Sequence, residues 1–173
     1  MPLEPRVSAP PDIFAVLARL GIAYVRHDHQ PVYTCAEAVR ALPDIGDAAH
    51  TKTLFLRDKK RRRHWLVVTL CSKVVDFRAL AARVGADNLS FGSAERLATH
   101  LQITPGAVIA LTLVADPRHE VELVVDADVW RHDTLCCHPL VNTSTLVLSR
   151  EALQRFCDFT GHVPLIVSVP ARV

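Results

Sequence analysis

A chain of 173 residues has room for one domain of ordinary size, and its length argues against two. Half of the residues are hydrophobic and 22 % are charged, with 11 Pro against 6 Gly, which excludes a disordered polypeptide and fits a substantial core. The formal charge of +2 neither announces nor excludes a nucleic-acid partner, and no apolar run reaches the roughly 18 to 20 residues that cross a bilayer.

Residues 1–10 hold three prolines and read as a loose arm, which leaves 11–173 as the folded domain. Met1 to Arg6 lacks the basic-then-apolar order of a secretory signal, so cytoplasmic residence is expected. Five cysteines, an odd number without a regular framework, fit reduced thiols. Pro11-Asp12 opens an amphipathic helix with Ile13, Val16, Leu17 and Leu20 on one face and Gly21 as its stop. A strand over Ala23 to Val25 follows. Thr34-Cys35-Ala36-Glu37 has capping-box spacing, so a second helix runs from there to about Leu42, before Pro43.

Thr53 to Leu56 and Trp65 to Leu70 are apolar runs separated by the charged stretch 57–64, a hairpin with a basic tip. Asp76 caps a helix ending at Gly85, and Ser93 another ending near Leu101. Thr104-Pro105-Gly106 turns the chain into an expected strand over Val108 to Leu113, which forms a second hairpin with Val121 to Val125. The β-rich runs Leu135 to Val141 and Thr143 to Leu148 precede a helix over Arg150 to Thr160, capped by Ser149 and stopped by Gly161. Leu165 to Val169 closes as a strand. Most strand pairs lie too close for crossover helices, so the expected fold is a single α/β domain of α+β type. Its sheet is mixed, mostly antiparallel, with flanking helices.

Nucleophile-elbow, dinucleotide, phosphate-loop and H-E-x-x-H motifs are absent. Four features could carry chemistry. Lys52 stands at the start of an apolar strand, where its ammonium either grips a phosphate or oxyanion or is an ordinary solvated lysine. Leu135 to Thr145 embeds His138, Asn142 and hydroxyls between apolar positions, as a ligand site or as a structural histidine bonded to a carbonyl. His27, His29, His132 and Cys136 to His138 offer zinc ligand types without zinc spacing, so no metal is expected. The tip residues Arg57, Lys59, Lys60, Arg61, Arg62 and Arg63 hold six of the 20 Lys and Arg, and either attract a phosphate backbone or keep a loop soluble.

The ordered set His50-Thr51-Lys52-x-Leu54-Phe55-Leu56, Leu89-Ser90-Phe91-Gly92, Thr104-Pro105-Gly106-Ala107-Val108, His138-Pro139-Leu140-x-Asn142 and Thr160-Gly161-His162 resembles one family. It is the YbaK/prolyl-tRNA-synthetase-associated editing-domain family, nearest its freestanding prolyl-tRNA deacylase branch, and the resemblance runs from about Ile13 to Val169. It implies a cytosolic hydrolase that clears mischarged tRNA(Pro), above all Ala-tRNA(Pro). It implies no metal or organic cofactor, no membrane and no DNA, and prolyl-tRNA synthetase as a further partner. Lys52 resembles the family's essential lysine, His138 and Asn142 its pocket motif, and Gly106 a loop that donates backbone amides. Thr53 stands where Asn is common, Cys137 where an aromatic residue is, Ala110 where the loop has a proline, and Gln102 where glycine is frequent. Val32, Cys137 and Val141 are expected to line the amino-acid pocket, with Thr53 and Asn142 beside the substrate. The alternatives are a tRNA-binding or synthetase-associated module without activity, and an editor of Cys, Ser or Thr esters.

Overall fold

The start signals read from the sequence hold where a short polar side chain meets the first free amides of a helix. In the computed structural model, which describes residues 12–106, 108–139 and 141–173, Asp12 accepts from Ala15 N and opens α1 (Ile13–Arg19). Thr34 and Glu37 form the reciprocal capping box of α2 (Cys35–Ala41). Asp76, Ser93 and Ser149 cap α3 (Phe77–Val84), α4 (Ala94–Leu101) and α6 (Arg150–Thr160). The remaining helix, α5 (Ala127–Trp130), is a single turn capped by Asp126. The N-terminal arm lies outside the described residues. Among the described residues no helix is long and apolar enough to cross a membrane.

The strands are β1 (Tyr24–Asp28), β2 (Ala49–Asp58), β3 (His64–Leu70), β4 (Leu89–Phe91), β5 (Val121–Asp126), β6 (Thr134–Cys137), β7 (Ser144–Ser149) and β8 (Leu165–Val167). They form one sheet in the order β1-β7-β6-β2-β3-β5-β8, with β4 on β2 beside that path. The pairs β1–β7, β2–β3, β2–β4 and β6–β7 are antiparallel, and β2–β6, β3–β5 and β5–β8 are parallel. This is the mixed, mostly antiparallel sheet with flanking helices that the strand spacing implies. Side chains alternate across it. Leu66 and Val68 of β3 join the core under α1, α4 and α6, while Trp65 and Val67 join a second core under α3.

One expected strand is not there. Ala110–Ala115 is a 3₁₀ helix whose Ala110, Leu111, Thr112 and Leu113 are buried, so Val121–Asp126 pairs in parallel with β3 and β8 rather than in a hairpin with it. An apolar run of this length suits a buried helical turn as well as a strand. Strand β4 and helix α5 were not foreseen either, being three and four residues long. At Gly92 the chain passes against Phe55, where a Cβ would sit 2.4 Å from the ring.

The basic tip is built around a buried acid. Asp58 Oδ1 accepts from Arg62 N (2.8 Å) and Arg63 N (3.1 Å). Burial pushes its carboxyl up, and these amides more than offset that, holding it below the usual carboxylate value. Next to it, buried His64 stacks on Phe55 and accepts at Nε2 from Arg96 Nη1 (3.0 Å). Burial, then the neighbouring His100 and Arg96, pulls its pKa from 6.5 to about 4, against the opposite pull of Asp58 and Glu120. The unfolded chain therefore takes up a proton at His64 across that interval and the folded chain does not. Stability contributed by neutral His64 is full above pH 6.5 and falls as pH drops toward 4, by on the order of 3 kcal/mol. Denaturant titrations of His64→Phe, which keeps a ring on Phe55, should show a flatter pH dependence over that interval than the parent chain.

Candidate active site

Lys52 is the fourth residue of β2, not its first. Opposite Thr69 in the register with β3, it reaches beyond the end of that strand. Its Nζ donates to the carbonyl oxygens of Lys73 and Cys71, the latter at 3.4 Å. Partial burial lowers its pKa from the ordinary lysine value. An ammonium has three protons, and two are engaged here.

The cavity beside it measures about 270 Å³. Lys52 and Thr53 line it with Val32, Gly106, His138 and Asn142, so six of the eight residues expected at the substrate come together. Asn142 Nδ2 donates to Val32 O (3.2 Å) and Val32 N to Asn142 O (3.1 Å), which stitches the segment after β1 to the β6–β7 turn. His138 Nδ1 donates to Ser144 O (3.0 Å), which fixes the tautomer with a lone pair on Nε2. Among the described residues that Nε2 has no partner. Gly106 sits at φ +92°, a conformation that L side chains rarely adopt, with open space where a Cβ would be.

Two expected lining residues lie elsewhere. Val141 is 49 % exposed and is not part of the cavity wall, whereas its neighbour Asn142 is bonded back to Val32. Cys137 is absent from this wall and lines a separate small void with Thr51, Thr53 and Leu111, and burial with neighbouring Cys136 pushes its thiol up to about 12. Reading the chain alone also missed Tyr33, Thr34, Cys35, Ala38, Cys71 and Val108, which with Thr51 complete the wall. The capping box that starts α2 was the available signal for Thr34 and Cys35.

A further difference concerns the thiols. Cys35 and Cys71 form a disulfide with their Cα atoms 5.7 Å apart, whereas Cys136, Cys137 and Cys157 are free. The expectation of five reduced thiols rested on an odd count, and a count carries no distance. The fold lays the first residue of α2 against the end of β3, within bridging range. Helix α2 has no buried residue, so this bond and its contacts with β2 hold it at the cavity.

Of the histidines considered as metal ligands, His29 and His132 are hydrogen-bonded within the protein. His29 donates from Nδ1 to Gln30 O (2.8 Å) and accepts at Nε2 from Thr145 Oγ1 (2.9 Å). His132 donates to Asp47 O (2.7 Å).

The basic tip stands at the far end of β2, about 17 Å from Lys52 to Arg57 at the usual strand rise. Arg63 is spent on the fold: it pairs with both oxygens of Glu122 (2.9 and 3.1 Å), donates to Gly85 O and lies 4.7 Å over the Trp65 ring. Arg57 donates to Asp58 O, and Lys60 is 4.0 Å from Asp87. The side chains of Lys59, Arg61 and Arg62 have no partner among the described residues, and Arg96 joins them through Arg61 O (3.3 Å).

The sequence model of the aminoacyl-tRNA editing domain matches residues 29–156. The prolyl-tRNA editing protein ProX of Acetoanaerobium sticklandii is 36 % identical over 151 residues, covering 87 % of this chain and 91 % of that protein. Prolyl-tRNA synthetase associated domain-containing protein 1 of Xenopus laevis is 32 % identical over 160 residues, covering 90 % and 94 %. Among solved structures, the hypothetical protein APE2540 superposes with a TM-score of 0.70 at 19 % identity, over 92 % of this chain and 99 % of that one. A candidate trans-editing enzyme for prolyl tRNA synthetase superposes at 0.66 and 16 % identity, over 99 % and 100 %. With three quarters of its length inside that domain and relatives matched nearly end to end, the chain belongs to the aminoacyl-tRNA editing domain family.

Proposed function

We propose that the protein hydrolyses the ester of mischarged tRNA(Pro), with Ala-tRNA(Pro) as substrate. The observation that carries this reading is a cavity that gathers a lysine with one proton and a histidine with one lone pair uncommitted among the described residues, together with a left-handed glycine turn. The family and the names of its prolyl-tRNA relatives support it. In the reaction, water adds to the ester carbonyl, and collapse of the tetrahedral intermediate releases alanine and the terminal ribose hydroxyl of tRNA(Pro). An aminoacyl ester is activated, so positioning and relief of negative charge suffice, with no protein nucleophile. The free proton of Lys52 holds the tRNA 3′ end or its phosphate. Amides of the Gly106 turn face the carbonyl oxygen, and His138 Nε2 accepts a proton from the attacking water or the substrate amine.

Size supplies the selectivity. A synthetase pocket shaped for proline rejects alanine by only about 1 to 3 kcal/mol, because missing methylenes cost little. A second pocket that fits alanine and is too small for proline corrects the error. In this reading tRNA(Pro) is the partner, and prolyl-tRNA synthetase is the source of the mischarged substrate.

Labelled Ala-tRNA(Pro) should lose its alanine much faster than Pro-tRNA(Pro) loses proline. Equal rates would remove the size filter, no release from any mischarged tRNA would make the protein a binding module, and preference for Cys, Ser or Thr esters would reassign the pocket. Lys52→Ala should melt like the parent chain yet deacylate at least a hundredfold more slowly, about 3 kcal/mol of transition-state stabilisation. Lys52→Arg should restore little of it, since a planar fork does not replace a compact ammonium. Because burial lowers the Lys52 pKa, activity that needs the ammonium is full at lower pH. It declines as pH rises through a value below that of an ordinary lysine. Neutralising Lys59, Arg61 and Arg62 together should raise KM and flatten the salt dependence with kcat nearly constant, and an unchanged KM and salt slope would leave the tip a solvated hairpin.

A further inference from the structure

Lys52 does not fix its own position. Both carbonyls that hold its Nζ belong to the short segment after β3, at Cys71 and Lys73. A loop carbonyl directs an ammonium only as well as the loop itself is held. The Cys35–Cys71 bond ties one end of this segment, and the Lys73 side chain ties the other.

The Lys73 ammonium is largely buried and fully committed. It lies 2.8 Å from Asp126 Oδ2 and 2.7 Å from Asp128 Oδ2, and donates to Val169 O at 3.0 Å. Three protons meet three acceptors, which leaves none for a substrate. Burial lowers its pKa, but the two carboxylates outweigh that and hold it above the ordinary lysine value. Asp126 is completely buried and equally committed. Its Oδ2 also accepts from Thr69 Oγ1 (2.6 Å), and its Oδ1 accepts from Asp128 N (3.2 Å) and Val169 N (3.2 Å). Thr69 is the residue paired with Lys52 across β2 and β3. The buried acid therefore grips the strand opposite Lys52 and, through Lys73, the loop whose carbonyls hold the Lys52 ammonium.

Buried ion pairs are poor stabilisers, because desolvation offsets the attraction, and well-packed apolar groups often do as well. What this pair adds is direction. We propose that Lys73 and Asp126 are positioning residues that aim the Lys52 ammonium into the cavity, acting through the Lys73 and Cys71 carbonyls and touching no substrate themselves. Asp128, one third exposed, is the outer and weaker partner.

The inference rests on the reading that Lys52 serves deacylation, so the experiment has one readout that depends on turnover and one that does not. Removing Lys73 alone strands a buried carboxylate, so the informative variant is Lys73→Met combined with Asp126→Asn, with Asp128→Asn as a mild companion and melting curves as the folding control. With Ala-tRNA(Pro), the double variant should lose ten- to a hundredfold in kcat with KM within twofold, and Asp128→Asn should lose less. On 15N-lysine-labelled protein, the Lys52 ammonium signal, identified by its loss in Lys52→Ala, should shift and exchange its protons with water faster in the double variant. A folded double variant with parental kcat and an unchanged Lys52 signal overturns the proposal, as does a loss of kcat with that signal unmoved. If Lys52→Ala keeps full turnover while the Lys52 signal still responds to the double variant, the positioning stands and the deacylation role of Lys52 falls.

Discussion

Strand β2 carries a constraint on which the rest of the structure depends. One of its edges is bonded to β3 over residues 51–57, while the other meets β6 only at Ala49 and His50 and β4 only at Leu56 to Asp58. Between these two short pairings the second edge has no strand on it among the described residues, and unpaired backbone in a core must be covered. Ala110 and Leu111 of the 3₁₀ helix line a small void together with Thr51 and Thr53 of that interval. The cavity is lined by Thr51, Lys52 and Thr53 of the same interval, by the turn at Gly106 and by His138 and Asn142 from the β6–β7 connection. A gap in a ladder thus lies beside a cavity.

Much of this was legible because local chemistry decided it. Asp12, Thr34, Asp76, Ser93 and Ser149 start helices by reaching the first free amides, whatever the rest of the chain does. The β2–β3 hairpin is adjacent in sequence and bounded by charge, so its register follows from alternation. The parallel pairs β2–β6, β3–β5 and β5–β8 join distant segments and leave no local trace. Ala110–Ala115 is apolar but for Thr112, and such a run has no period from which to tell a strand from a tight helix. Lys52, Thr53, Gly106, His138 and Asn142 were singled out from residue types and the family resemblance. Cys71 and Tyr33 reach the same cavity only through tertiary approach, and Val141, named because small or apolar residues should line the pocket, is exposed instead.

Charge in this fold is divided by what each group has left to give. Lys73 and Arg63 satisfy their donors against Asp126, Asp128 and Val169, or against Glu122, Gly85 and the Trp65 ring, and their role ends inside the protein. Lys52, Lys59, Arg61 and Arg62 retain donors without a partner among the described residues. A count of six basic residues at the tip could not make this distinction, since it depends on Glu122, which is 59 positions away from Arg63.

The pairing of β1 with β7 sets an order of assembly. Asp28 pairs with Ser144, 116 residues later (144 − 28), and Tyr24 with Leu148. At about 5 to 20 residues per second, β1 waits on the order of 5 to 25 s on the ribosome before its partner strand is made. During that interval Tyr24 and Val25 belong to a strand without a neighbour, a template for wrong pairing. Arg26, His27 and Asp28 follow at once in the same strand, and their charge suits them to keep it in water until β7 arrives. The cavity is thus among the last parts of the molecule to form, closed by a turn the chain reaches only after residue 138.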